Sequence, residues 1–179
     1  MALISLDDIC HTYGDTDHPV PAVHGVSLEI EAGEFVAIVG PSGSGKTTLL
    51  NIIGTLIRPT KGRYIFDDKD VGGLSVFQLA QIRAAKIGFV FQNFNLIDHL
   101  TVYDNIKLGL RYRHDRREAS ERDRIAAIME QVGLSHRANH LPHQLSGGQQ
   151  TRSPIATALD GATPEQSAHG QNGSPECPA

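Results

Sequence analysis

A chain of 179 residues, 40% hydrophobic and 20% charged, is sized and composed for one globular domain. Its formal net charge of −4 gives no electrostatic case for nucleic acid as a partner. No apolar run approaches the roughly 20 residues that span a bilayer, and MALISLDDIC lacks the pattern of a secretion signal, so any membrane role is expected to come through a partner.

Cys10 and Cys177 lie near opposite ends, match no metal or redox spacing, and are read as reduced thiols. In chain order, Tyr13 of HTYG is an isolated aromatic, suited either to packing or to stacking on a nucleobase. GVSLEIEAGEFVAIVG then alternates Val26, Leu28 and Ile30, the pattern of a half-buried strand, turns at Ala32-Gly33, and runs on through Phe35–Val39. A continuous apolar run of that length predicts a strand covered on both faces. GPSGSGKTTLLNIIGTL follows, with Leu49, Leu50, Ile52, Ile53 and Leu56 at helical spacing.

Strand, glycine-rich loop and helix are the context of a phosphate-binding P-loop. Gly40, Gly43 and Gly45 let the backbone curl so that successive N–H groups face phosphate oxygens, with Pro41, Ser42 and Ser44 between them. The helix adds its positive N-terminal end. Lys46 can place an ammonium on the β- and γ-phosphates, and Thr47 can offer its hydroxyl to Mg²⁺, with Thr48 completing the segment. The loop alone does not separate an ATPase from a GTPase or a small-molecule kinase.

Further along, Ile87–Phe91 predicts a second buried strand, ending at Gln92, whose amide could reach Mg²⁺ or an attacking water. Tyr103–Leu110 and Arg124–Val132 read as amphipathic helices, the latter with Ile125, Ile128, Met129 and Val132 on one face. Between them RYRHDRREASERDR mixes basic and acidic residues, as a solvated helix with pairs such as Glu118–Arg122 would. His136, His140 and His143 are close in sequence, but Pro142 breaks the register that would converge them on a metal. In LSGGQ, Ser146 suits an N-cap, and Gly147-Gly148 leave bare backbone at a helix start: an anion site without an anion of its own, which points to a second chain. From Ser153 onward there is no Lys, Arg or aromatic, and Ile155 and Leu159 are the only large aliphatics, so 153–179 is expected to stay disordered.

LSGGQ at Leu145–Gln149, downstream of GPSGSGKT and FVFQNFNL, resembles the signature of ABC-transporter ATPase subunits, and FVAIVGPSGSGKTTLLNIIGTLIRPTKG is most similar to the branch serving lipoprotein release and macrolide export. The resemblance covers residues 2–152 and implies an α/β fold: a P-loop NTPase core of ABC ATPase type, an antiparallel β lobe and a helical lobe at about 93–143. It implies that Tyr13 stacks on adenine, that Gly40–Thr48 hold ATP and Mg²⁺ with Lys46 as a catalytic group, and that Thr47 and Gln92 attend the metal and the γ-phosphate. Two copies would pair head to tail, each offering Leu145, Ser146, Gly147, Gly148 and Gln149 to the nucleotide on the other. Transmembrane permease subunits would hold the pair at the inner face of the plasma membrane, peripheral and cytoplasmic, and convert closure into transport.

The resemblance then breaks. Relatives continue roughly as RVAIARAL; here Arg152–Leu159 reads RSPIATAL, with Pro154 about two turns into the helix and Thr157 in place of an arginine. Relatives next carry an apolar strand ending in Asp-Glu and, later, a switch His. Here Leu159-Asp160 is followed by Gly161, too soon for that strand, and His169 is a poor substitute for the switch. The expectation is a truncated or frame-shifted cassette that binds ATP and does not hydrolyse it alone. Two alternatives stay open: an ATP-binding regulatory or interaction module, and an ABC ATPase without a transport role.

Overall fold

The computed structural model describes residues 2–15, 17–91, 95–110 and 118–159. They divide into two compact units, Met1–Ala80 and Gln81–Ala179.

The first unit is built on a four-stranded antiparallel sheet in the order β2-β1-β3-β4, comprising β1 (Ala2–Tyr13), β2 (Val20–Glu31), β3 (Lys61–Phe66) and β4 (Lys69–Asp70). In β2 the half-buried Val26, Leu28 and Ile30 alternate with exposed neighbours, as their spacing predicts. Strand β1 is central and irregular. Leu6 faces Leu28 while Ile9 faces Val26, so β1 carries one extra residue there, and Asp8 takes a left-handed φ of 48°. Asp7 and Asp8 are both exposed, whereas Leu6, Ile9 and His11 are buried. The bulge therefore resets the alternation: without it, Leu6 and Tyr13 would point to opposite faces of the sheet.

Helix α1 (Lys46–Ile53) buries Thr48, Leu49 and Ile52, and a core forms from Leu6, Ile9, Val23, Leu49, Ile52, Tyr64 and Phe66. Tyr64 ties the helix to the sheet, since its hydroxyl donates to the carbonyl of Ile53 at 2.5 Å. Burial pushes the Tyr64 phenol well above its ordinary range. Tyr64→Phe is expected to cost about 1–3 kcal/mol, because it leaves a carbonyl unpaired. The folded chain holds the phenolic proton after the unfolded chain has lost it, so stability falls as pH rises through about 10. The phenylalanine variant lacks that component, and urea midpoints near pH 8 and near pH 11 should converge between the two proteins as pH rises.

The second unit is helical. Helix α2 (Val76–Lys86) carries the boundary, and α3 (Val102–Leu110), α4 (Glu118–Gln131) and α5 (Gly147–Leu159) follow it. Ile125, Met129 and Val132 are buried with Val102, Ile106, Leu134, Leu145 and Ala156, and Ile128 packs against them. Lys107 pairs with Glu121 at 3.2 Å across α3 and α4. Of the arginine-rich stretch at 111–124, residues 111–117 and the side chain of Glu118 lie outside the described residues, while Glu121–Arg124 lie within α4.

Three expectations are corrected. Phe35–Val39 is not a strand: Phe35 and Val39 are 94% and 88% exposed. Ile87–Phe91 is not a strand either, and Phe89 and Phe91 stack with ring centroids 5.6 Å apart. An apolar run becomes a buried strand only where neighbours hydrogen-bond to it and cover its faces, and among the described residues neither run has a strand partner. Finally, the break placed at Ser153 falls inside α5, which continues to Leu159 with Ser153, Pro154 and Ala156 buried. Small residues let this helix approach closely: a Cβ at Gly109 would stand 2.8 Å from Thr157 Cγ2, and one at Gly88 would stand 2.6 Å from the Ala158 carbonyl oxygen. Residues 160–179, which include His169 and Cys177, lie outside the described residues.

Candidate functional site

The loop from Gly40 to Gly45 leads directly into α1. It turns through Pro41–Ser44, where the Ser44 N–H donates to the Pro41 carbonyl at 3.3 Å, and the Leu49 N–H donates to the Gly45 carbonyl at 2.8 Å to start the helix. Gly43 and Gly45 have φ of 80° and 82°, a region that costs any side-chain-bearing residue energy. Gly40 is nearly extended, but a Cβ on it would come within 2.8 Å of Ser44 Oγ. At Gly45 a Cβ would sit 2.1 Å from the Ala22 carbonyl oxygen, so the loop is seated against β2 with no room for a side chain.

Lys46 folds back over this loop. Its ammonium donates to the carbonyls of Gly40 at 2.8 Å and Pro41 at 2.6 Å, and to Ser44 Oγ at 3.4 Å. These partners are all neutral oxygens. A positive charge is thereby held at the N-terminal end of a helix, beside a loop of backbone amides, by groups that an anion can displace. Thr47 is exposed, while Thr48 is buried. A curled glycine loop, an ammonium resting on neutral oxygens and an exposed hydroxyl fit a nucleotide triphosphate with its Mg²⁺.

Tyr13, the last residue of β1, is 42% exposed, and its hydroxyl donates to Thr48 Oγ1 at 3.4 Å. The aromatic and the loop-bearing helix are therefore joined directly, a link that sequence alone does not supply. His11, two residues earlier on the same face, packs against the Tyr13 ring with centroids 4.5 Å apart and planes at 81°. Sequence reasoning missed His11 and the hydroxyl of Thr48. The available signal for His11 was the i, i+2 spacing of two rings along one strand.

In the second unit, LSGGQ opens α5. Leu145 is buried and anchors the turn, whereas Ser146, Gly147 and Gly148 are exposed. Ser146 occupies the cap position, its carbonyl accepting from the N–H groups of Gln149 and Gln150 at 2.9 Å each. Gln149 returns the contact, its Oε1 accepting from the Ser146 N–H at 3.0 Å, one half of a capping box. A Cβ on Gly147 or Gly148 would meet nothing within 4 Å, so this helix start is open to approach. Gln92 lies outside the described residues. Among the three histidines, His140 Nε2 accepts from Arg137 Nη1 at 2.9 Å and is thereby engaged within the protein.

The comparisons converge. The family model described as ABC transporter matches residues 23–164. The macrolide export ATP-binding/permease protein MacB of Brucella abortus is 48% identical over 157 residues, which are 88% of this chain and 24% of that protein. An uncharacterized ABC transporter ATP-binding protein of Thermotoga maritima is 47% identical over 158 residues, 88% of this chain and 67% of that protein. Among solved structures, the dimeric bacterial cassette MJ0796 superposes with a TM-score of 0.79 at 44% identity, over 88% of this chain and 69% of its own. A post-hydrolysis state of that cassette, bound to ADP and Pi, gives the same TM-score at 43% identity. The chain thus spans about a quarter of the length of the curated exporter it matches.

Proposed function

The chain belongs to the ABC transporter family and has the fold of its ATP-binding cassettes, and from that premise we propose that it is the energy-coupling subunit or segment of a transporter, binding Mg-ATP on the Gly40–Thr48 loop. The observation that carries this reading is the Lys46 ammonium resting on the Gly40 and Pro41 carbonyls at the head of α1. In the occupied site, Lys46 faces the β- and γ-phosphates, Thr47 gives its hydroxyl to Mg²⁺, and Tyr13 supports the adenine. Mg²⁺ supplies charge neutralisation on the phosphate oxygens. Gln92 is proposed as the group that attends the γ-phosphate and the metal. Leu145–Gln149 present open backbone to the nucleotide of a second, head-to-tail cassette, and permease subunits hold the pair at the cytoplasmic face of the membrane.

Hydrolysis is a separate matter for the 179-residue polypeptide. Phosphoryl transfer depends on positioning and charge stabilisation, and removing a catalytic base alone lowers rates by about 10²–10⁴. No Asp-Glu pair follows the signature in this sequence. Phosphate release by the purified polypeptide is therefore expected to match that of its Lys46→Ala variant. Turnover clearly above that control contradicts binding without hydrolysis. Co-purification with a membrane permease separates the transport role from a non-transport one.

A further inference from the structure

We propose that His11 is a positioning residue for the nucleobase: it fixes the Tyr13 ring in the orientation that an adenine meets. The inference rests on the reading of Tyr13 as the adenine platform and adds to it the device that holds the platform still. Tyr13 ends its strand and is 42% exposed, so its ring has few neighbours to restrict it. Two contacts do so. The hydroxyl reaches Thr48 Oγ1, and the ring meets the His11 imidazole at 4.5 Å in an edge-to-face arrangement. His11 is a firm wall because it is only 9% exposed, and its Nδ1–H donates to the Arg58 carbonyl at 2.9 Å. Arg58 is itself held, its guanidinium donating to the carbonyl of Leu74. The i, i+2 spacing puts His11 and Tyr13 on one face of the strand, and the bulge at Asp7-Asp8 makes it the face that Leu6 and Ile9 also occupy.

A ring already held in its stacking pose gives up less freedom when a base arrives, so His11 contributes to affinity without touching the nucleotide. An edge-to-face pair of this kind corresponds to about a twofold to tenfold effect. The contribution must appear for ligands with a base and vanish for those without one.

The test compares calorimetric affinities of Mg-ATP and Mg-tripolyphosphate in the full chain and in His11→Asn, His11→Phe and Tyr13→Ala variants. Tripolyphosphate offers phosphates and no base. Any misfolded fraction weakens both ligands by the same factor and drops out of their ratio. Asn keeps a donor for the Arg58 carbonyl but has no ring, whereas Phe keeps the ring. His11→Asn should lower the preference for ATP about threefold to tenfold, and His11→Phe should hold it within about twofold of the parent. If Tyr13→Ala abolishes the preference while His11→Asn leaves it intact, or if Phe fails like Asn, the role assigned to His11 is overturned. If Tyr13→Ala leaves the preference unchanged, the platform reading itself fails, and the two failures are thereby told apart.

Discussion

Gly45→Ala is expected to weaken Mg-ATP binding by at least about tenfold, and Gly43→Ala to weaken it less. Both glycines sit near φ +80°, so each alanine incurs the left-handed penalty of about 1–2 kcal/mol. Their surroundings differ. A Cβ at Gly43 would meet nothing within 4 Å, while one at Gly45 would be driven to 2.1 Å from the Ala22 carbonyl oxygen in β2. Backbone on both sides of that contact is fixed, by the strand ladder and by the first turn of α1, so the junction must shift. The free variant relieves the clash by leaving the curled geometry, and binding must restore that geometry, so the cost appears in affinity as well as stability. Calorimetry of the two variants checks the order; equal affinities for both would show that the Ala22 contact does not set the loop.

Asn105→Ala should destabilise the helical unit by about 2–4 kcal/mol. Asn105 is 7% exposed and uses both ends of its amide. Its Oδ1 accepts from the Ile97 N–H at 2.8 Å, and its Nδ2 lies 3.2, 3.1 and 3.0 Å from the carbonyls of Ile97, Leu100 and Thr101. One side chain thereby organises the segment that enters α3, a few residues after Gln92. Alanine leaves the Ile97 N–H and the Leu100 carbonyl without the side-chain partner, while the Ile97 and Thr101 carbonyls keep the backbone N–H groups of Leu100 and Asn105. Asn105→Asp keeps the acceptor but sets a carboxylate against three carbonyls, so it should fare no better. Urea denaturation midpoints read both variants, and a midpoint for Asn105→Ala within experimental error of the parent contradicts the assigned role.

What was legible in the sequence was local chemistry. Glycines and a lysine at fixed spacing define the Gly40–Thr48 loop wherever the rest of the sheet goes, and the Ile125, Met129, Val132 stripe declares its buried face by period alone. What was not legible depends on neighbours. Phe35–Val39 and Ile87–Phe91 have strand composition, but a strand is a pairing, and composition cannot reveal whether a partner is present. The bulge at Asp7-Asp8 was hidden because two aspartates in a strand read as solvent-facing polar residues, whereas their exposure together shifts the whole register by one residue. The order of α5 beyond Arg152 was not legible because Ser153, Pro154 and Ala156 look unable to bury much surface, yet all three are buried. Close contact comes where glycines meet α5, Gly88 against Ala158 and Gly109 against Thr157, and the Ser153 and Thr157 hydroxyls bond the carbonyls of Gln149 and Ser153 within the helix that contains Pro154.

The most direct test is a calorimetric titration of Mg-ATP into the purified 179-residue chain, run beside Lys46→Ala. Saturable binding of one nucleotide per chain, lost or greatly weakened when Lys46 is removed, is the predicted result. Heats indistinguishable from dilution in the parent chain, or equal binding by the variant, contradict the claim that the Gly40–Thr48 loop holds the nucleotide.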